Sequence, residues 1–132
     1  MTDLPLLSQI KGRLTWLDQR QRVIAENVAN SDTPGYVGRD LSQPTDFARA
    51  MAEGGGVRMT RTSAMHIAPS GPVARFETRS APDSETTLDG NSVVVEEQML
   101  KMAESRMAYD AAIGLYQKSM QMLRMAARAP GR

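Results

Sequence analysis

The sequence predicts a mainly α protein. A long N-terminal and a long C-terminal helix pair as an antiparallel, coiled-coil-like hairpin, with an irregular middle segment able to hold short β-strands. Three observations predict this. Apolar residues recur at three- and four-residue intervals over 4–30 and again over 92–128. Between those stretches the period disappears and Gly, Pro, Ser and Thr dominate. An abrupt stop after Asn30 separates the two regimes. The 132 residues, enough for one modest domain, divide accordingly. Residues 1–30 are the first helix, 31–90 a turn plus an irregular lobe or partner-ordered segment, and 91–132 the second helix and its tail.

In the first helix Leu7, Ile10, Leu14, Leu17, Gln21, Ile24 and Val28 form a seam with heptad spacing, apolar except at Gln21. Such a seam marks a helix packed lengthwise on another helix. Pro5 suits the first turn, where its missing N–H is not needed. Lys11, Arg13, Asp18, Arg20, Arg22 and Glu26 fall off the seam. The expected length is about 40 Å, from ~1.5 Å per residue. The stop has a mechanism. Asn30 tolerates the left-handed conformation common just past a helix end. Pro34 disfavours helical geometry at Thr33. Thr33-Pro34-Gly35-Tyr36 suits a type II turn, with Pro second and Gly third.

The middle gives weaker signals. Thr45–Ala52 reads as a short helix, Gly54-Gly55-Gly56 as a break, and Val57–Thr62 and Val73–Thr78 as short strands without clean alternation. Asp89-Gly90-Asn91 introduces the second helix, with Asn91 or Ser92 as cap and Glu96 and Glu97 at its positive end. Its seam is Val95, Met99, Met102, Arg106, Tyr109, Ile113, Tyr116, Met120, Leu123 and Ala127, with Arg106 and Gln21 as surface or register-setting polar positions. The expected length is about 55 Å. Six of the ten methionines lie between Met99 and Met125, which suits either core filling or packing against several non-equivalent neighbours. Ordering each residue costs about 1–2 kcal/mol, and each helix has one seam to bury. A lone hairpin is therefore marginal, and its packing is expected to finish inside an assembly.

Composition narrows the function. The formal net charge of +1 gives no electrostatic case for nucleic acid or an anionic membrane. The absence of cysteine excludes disulfides and thiolate metal sites. His66 is the sole histidine and has no oriented partner in view. Gly54-Gly55-Gly56 lacks the Lys-Ser/Thr of a phosphate loop, and no metal-ligand spacing or nucleophile elbow appears. Glu96 and Glu97 are adjacent on a helix and do not face each other. The basic end, Lys118, Arg124, Arg128 and Arg132, suits a helix C-terminus. Met1–Leu7 shows no Sec-type signal. The reading is a structural subunit without catalytic, cofactor or metal site and without a small-molecule substrate. Two readings compete with it: a helical adaptor or chaperone of a type III secretion system, and an enzyme using His66.

The stretch Ile24–Tyr36 carries a resemblance. With Asn27, Asn30, Thr33, Gly35 and Tyr36 in place, it closely resembles the Asn-x-x-Asn-x-x-Thr-x-Gly-[Tyr/Phe] signature of bacterial flagellar rod, hook and related axial proteins. Arg39-Asp40-Leu41, the Thr62–Pro69 stretch with His66-Ile67, and Asp89-Gly90-Asn91-x-Val93 before Glu96-Glu97 are similar to the short, proximal-rod members. Ser42-Gln43-Pro44-Thr45 departs from the family, which often runs directly from Leu41 into Asp46-Phe47. The resemblance implies a bacterial flagellum basal-body protein, exported by the flagellar type III apparatus without a cleaved signal. It implies terminal helices that stack helically into a tube around the export channel, on the periplasmic side of the inner membrane, and transmit torque. Implied partners are further copies and other rod proteins, the rod–ring adaptor and inner-membrane ring, and the export gate, which Leu4-Pro5-Leu6-Leu7 is expected to touch. Another short rod protein of the same family is the nearest alternative. Expected assembly residues are Leu7, Ile10, Leu14, Leu17, Ile24, Asn27, Val28, Asn30, Thr33, Pro34, Gly35 and Tyr36, with Val95, Met99, Met102, Tyr109, Ile113, Tyr116, Met120 and Leu123 on the second helix.

Overall fold

The computed structural model describes residues 5–43 and 76–128. Two helices and two short strands stand among them in the order α1 (Pro5–Ala29), β1 (Arg39–Leu41), β2 (Thr78–Ser80) and α2 (Val95–Ala127). The expected short helix 45–52, the Gly54–Gly56 break, the strand 57–62 and His66 lie outside the described residues. Of the expected strand 73–78, residues 73–75 lie outside the described residues, and of the rest Thr78 falls in β2, which runs on to Ser80.

The helices are antiparallel. Asn27, at the end of α1, meets Gln98, at the start of α2. Further back along α1, Trp16 and Leu17 share a cluster with Ala108 and Tyr109. The expected fold class, two long paired helices with a small strand element between them, is the one observed. α2 has 33 residues and α1 has 25, so α2, at about 50 Å, is the longer rod.

On α1 the expected seam supplies buried Leu7, Ile10, Leu17 and Ile24, with Leu14, Gln21 and Val28 half-buried. A second stripe, Trp16, Val23 and Asn27, is also buried. It packs on the strands, which no helical periodicity could announce. The strands pair antiparallel with Arg39 opposite Ser80 and Leu41 opposite Thr78. Leu41 closes over Trp16, Leu17 and Val23, and Phe76 packs beside them. The Trp16 indole Nε1–H donates to the Ser42 carbonyl at 2.9 Å, so its polar edge is satisfied inside the core. Arg13 and Arg20 lie over the ring, 5.0 and 5.5 Å from its centroid.

On α2 the expected seam is half right. Met102, Tyr109, Ile113, Tyr116, Met120 and Leu123 are half-buried. The interleaved line is displaced by one residue. Met99 and Arg106 are exposed, as is Val95, while Gln98, Ser105 and Ser119 are buried and Ala112 half-buried at the same seven-residue spacing. The reason is steric. Helix separation follows the size of the side chains at the contact, and small residues here let the helices approach where methionines would hold them apart. Helix polarity is then two-sided: Met99, Leu100, Met107, Leu115, Met122 and Met125 are exposed.

One atom in this contact is unsatisfied. The Ser105 hydroxyl is buried without a hydrogen-bond partner, whereas Ser119 Oγ donates to the Leu115 carbonyl at 2.9 Å. Ser105→Ala is therefore expected to raise stability by about 1 kcal/mol, by removing a desolvated hydroxyl and improving helix propensity. Trp16→Ala is expected to cost about 3–5 kcal/mol. Urea titration followed by helical circular dichroism checks both; a destabilised Ser105→Ala variant would mean the hydroxyl has a partner in solution.

Candidate functional site

The chain leaves α1 through a closed turn. Asn30 N–H donates to the Glu26 carbonyl, and the Asn30 side-chain amide reaches the same oxygen at 2.8 Å. Tyr36 N–H donates to Thr33 O at 3.2 Å, closing the turn predicted at Thr33–Tyr36. Gly35 sits at φ 71°, the left-handed value a type II turn needs at its third position. An added Cβ there would meet nothing within 4 Å, so its constraint is the backbone alone. At Gly38 the constraint is space: a Cβ would lie 3.0 Å from the Ala81 carbonyl oxygen.

The turn is clamped by the segment that precedes α2. Gly35 N–H donates to Asp89 O, and Ser92 N–H to Tyr36 O. The Asn91 side-chain amide donates to both Asn30 O and Thr33 O at 2.8 Å, and Gly38 N–H donates to Ser92 Oγ at 3.1 Å. This corrects the expectation that Asn91 or Ser92 caps α2. The N-cap is Val94, without a side-chain cap bond, and both polar residues are buried against the turn. Glu96 and Glu97 do occupy the first helical turn.

At the centre is Asn27, fully buried. Its Nδ2 donates to Arg39 O at 2.7 Å and to Gln98 Oε1 at 3.0 Å. Its Oδ1 accepts from Arg39 N–H at 3.0 Å and from the Tyr36 hydroxyl at 3.2 Å. A side-chain amide offers two donors and two acceptor positions, and all are used. Gln98 passes the connection on, its Nε2 donating to Asp83 Oδ2 at 2.8 Å. The same oxygen accepts from Val94 N–H at 2.8 Å, and Asp83 Oδ1 accepts from Lys101 Nζ at 2.7 Å. The Asp83 side chain has no solvent exposure. Burial pushes its carboxyl pKa up, but the bonds from Lys101, Gln98 and Val94 N–H, with the Lys101 charge, outweigh that and hold it below the ordinary value. It also places a negative charge at the positive end of α2. On the other flank Arg20 grips Asp40 through Nε and Nη2 at 3.0 and 3.1 Å.

Of the residues expected to build the site, the structure brings Asn27, Asn30, Thr33, Gly35 and Tyr36 together at this junction, while Pro34 is exposed on the turn. The helix members, Leu7 to Val28 and Met102 to Leu123, extend along the hairpin away from it. Gln98, Asp83, Asn91, Ser92, Lys101 and the Arg20–Asp40 pair were not anticipated as junction residues. The seven-residue spacing of Gln98, Ser105, Ala112 and Ser119 is the one sequence signal that could have found Gln98. Among the described residues no group of three or more His, Cys, Asp or Glu could hold a metal ion, and no helix is long and apolar enough to cross a membrane.

Comparison with known proteins points the same way as the turn. The family model described as flagella basal body rod protein matches residues 11–36, most of α1 and the turn itself. The flagellar basal body rod protein FlgB of Salmonella typhimurium is 36% identical over 102 residues, covering 72% of each chain. The FlgB proteins of Escherichia coli and Cereibacter sphaeroides are 35% and 32% identical, covering 72% and 74% of each chain.

Two expectations test the junction. Gly35→Val should cost about 1–2 kcal/mol through the left-handed backbone alone, and Gly35→Asn clearly less, because Asn tolerates that region; equal costs in urea titration would contradict this. The Asp83 network gives a pH signature. Because its folded pKa is lowered, its stabilisation is complete above the unfolded carboxylate value and is lost as pH falls through the folded one. Melting midpoints should hold from about pH 7 to 5 and fall below about pH 4. Asp83→Asn should lower the neutral-pH midpoint and shrink that acid fall.

Proposed function

The chain belongs to the FlgB family of flagellar basal body rod proteins, structural components of the rod, and we propose that it builds the proximal rod as a helically stacked subunit. Its terminal helices line a tube around the export channel, join the inner-membrane ring to the rest of the rod, and carry torque. Its neighbours are further copies, other rod proteins and the rod–ring adaptor. It reaches the periplasmic side through the flagellar export gate, without a cleaved signal, and it works without catalysis.

The observation that carries this reading is the second apolar face of α2. The helix buries one side on α1 and leaves Leu100, Met107, Leu115, Met122 and Met125 exposed on the other, Met107 and Met125 at 66%. Exposed apolar side chains at helical spacing form a continuous stripe along one face, and a continuous stripe, unlike scattered single residues, suits a surface that others cover. Methionine suits contacts with non-equivalent neighbours, because its thioether chain adapts its shape. The expected interface residues Val95 and Met99 are exposed at the start of the same helix. The seam residues of both helices then hold the hairpin that presents this face.

The expected outcome is that the chain copurifies with basal bodies by fractionation and mass spectrometry, and that its deletion abolishes motility. Met107→Asp should change the unfolding free energy from urea titration by no more than about 0.5 kcal/mol, as surface changes do, yet abolish incorporation into basal bodies. Gly35→Val should reduce motility more than His66→Ala. Recovery of the wild-type chain only as a soluble, cooperatively melting species, absent from basal bodies, would instead favour the adaptor or chaperone reading.

A further inference from the structure

The two ends of the hairpin are chemically opposite. Residues 26–37 and 83–100, at the turn end, carry Glu26, Asp32, Asp83, Glu85, Asp89, Glu96 and Glu97 and no Lys or Arg. The basic side chains beside them are Arg39 and Arg79 on the strands and Lys101, which pairs with Asp83, so acidic groups predominate. Beyond Asp110, α2 carries Lys118 and Arg124 and no acidic residue, and Arg128 is its C-cap. α2 is about 50 Å long, several Debye lengths at physiological salt, so the two fields do not cancel within one molecule.

Each end also exposes an apolar feature inside its charge. Leu88 stands wholly exposed at the tip of the loop before α2. That loop is held in shape: Thr87 N–H donates to Asn91 O at 2.8 Å, Gly90 N–H to Thr87 O at 2.9 Å, and Gly35 N–H to Asp89 O at 2.9 Å. The Thr87 hydroxyl also bonds the Asp89 carboxylate. Glu85 and Asp89 flank Leu88 in the loop, and Asp32 lies on the turn to which the loop is tied. A rigid loop that projects a leucine amid carboxylates presents an apolar knob with an acidic rim. At the far end Met122 and Met125 are exposed beside Arg124, Arg128 and Lys118. That is an adaptable apolar surface with a basic rim.

We infer that the acidic Leu88 loop of one subunit docks on the Met122–Met125 end of α2 in a second copy of this chain, as a head-to-tail contact. The match is double, apolar against apolar and acidic rim against basic rim, and both halves are present on every copy. Because the two patches differ, the contact is heterologous and propagates in one direction instead of closing into a dimer. This rests on the assembly reading above and supplies it with a polarity. The charged rims set orientation, since like-charged ends repel and only knob-to-socket pairing is favourable.

The test uses the full chain and two variants, Asp32→Lys/Glu85→Lys at the knob and Arg124→Glu/Arg128→Glu at the socket. None of these side chains is buried, and circular dichroism checks that each variant is as helical as the wild type. Sedimentation velocity is expected to show wild-type self-association that weakens as salt rises to about 1 M, where the Debye length is about 3 Å. Each variant alone should associate at least about tenfold more weakly, and an equimolar mixture of the two should recover association. Leu88→Ala should weaken it severalfold without changing its salt dependence. Loss on the knob variant alone, with the socket variant unaffected, would overturn the second copy as partner and point to another protein with a basic end. Salt-insensitive association, unchanged in both variants, would overturn the contact and leave the rod reading standing. Absence of the wild-type chain from basal bodies would overturn the rod reading and this inference with it.

Discussion

The structure depends on one side-chain amide. Asn27 gives the Arg39 backbone what a neighbouring strand would give it, a donor for its carbonyl and an acceptor for its N–H. It thereby closes one edge of β1, while β2 pairs with the other. Its remaining donor and acceptor go to Gln98 and Tyr36. Helix end, turn, strand and second helix thus converge on a single buried group. Removing that amide would strand several partners at once, each costing about 1–3 kcal/mol when buried and unpaired. Four elements that each lack a deep core of their own become one unit through it.

The same convergence explains why so small a core suffices. Trp16, Leu17, Val23 and Leu41 form the apolar centre, and beyond it the hairpin is only two helices thick. Among the described residues, therefore, nothing buries the outer apolar side of α2. The small residues Ser105, Ala112 and Ser119 lie on its inner side, while Met99, Met107, Met122 and Met125 stand outward. Packing economy on one side creates the exposed surface on the other. The fold and its capacity for assembly are consequences of one choice of register.

The helices and the turn were legible in the sequence because their causes are local. Apolar spacing announces a helix, and Pro34 with Gly35 announces a turn whatever surrounds them. The flagellar signature from Asn27 to Tyr36 was legible as a resemblance before its bonds were known, although the role of Asn27 within it was not. Gln98 was missed because its partner lies 71 residues away in sequence, and a polar residue one position off an apolar seam reads as surface. Short strands were expected in the middle segment, but their exact place and pairing were not legible, for a related reason. Strands of three residues are too short to show alternation, and Arg39 opposite Ser80 is a pairing that no local pattern encodes. Asn91 was misread because a polar residue before a helix is usually its cap, whereas here it serves the turn.

A polar junction also solves a problem that the apolar seams create. Met102, Tyr109, Tyr116 and Leu123 repeat every seven residues, and so do Gln98, Ser105, Ala112 and Ser119. A repeat of that kind allows the helices to slide by a whole heptad, about 10 Å, with little change in apolar contact, and adaptable methionines would tolerate the slip. The Asn27–Gln98–Asp83 chain does not. Slipped by one repeat, Asn27 would face Ser105 in place of Gln98, and Gln98, its Nε2 still tied to the Asp83 carboxylate at the start of α2, would lose the donor to its Oε1. Buried polar groups are best attested in this role, fixing register at some cost in stability. A subunit whose outer face must match neighbours along its length needs that fixation more than it needs additional apolar burial, because an error of one heptad in the hairpin would shift every outward methionine relative to the turn.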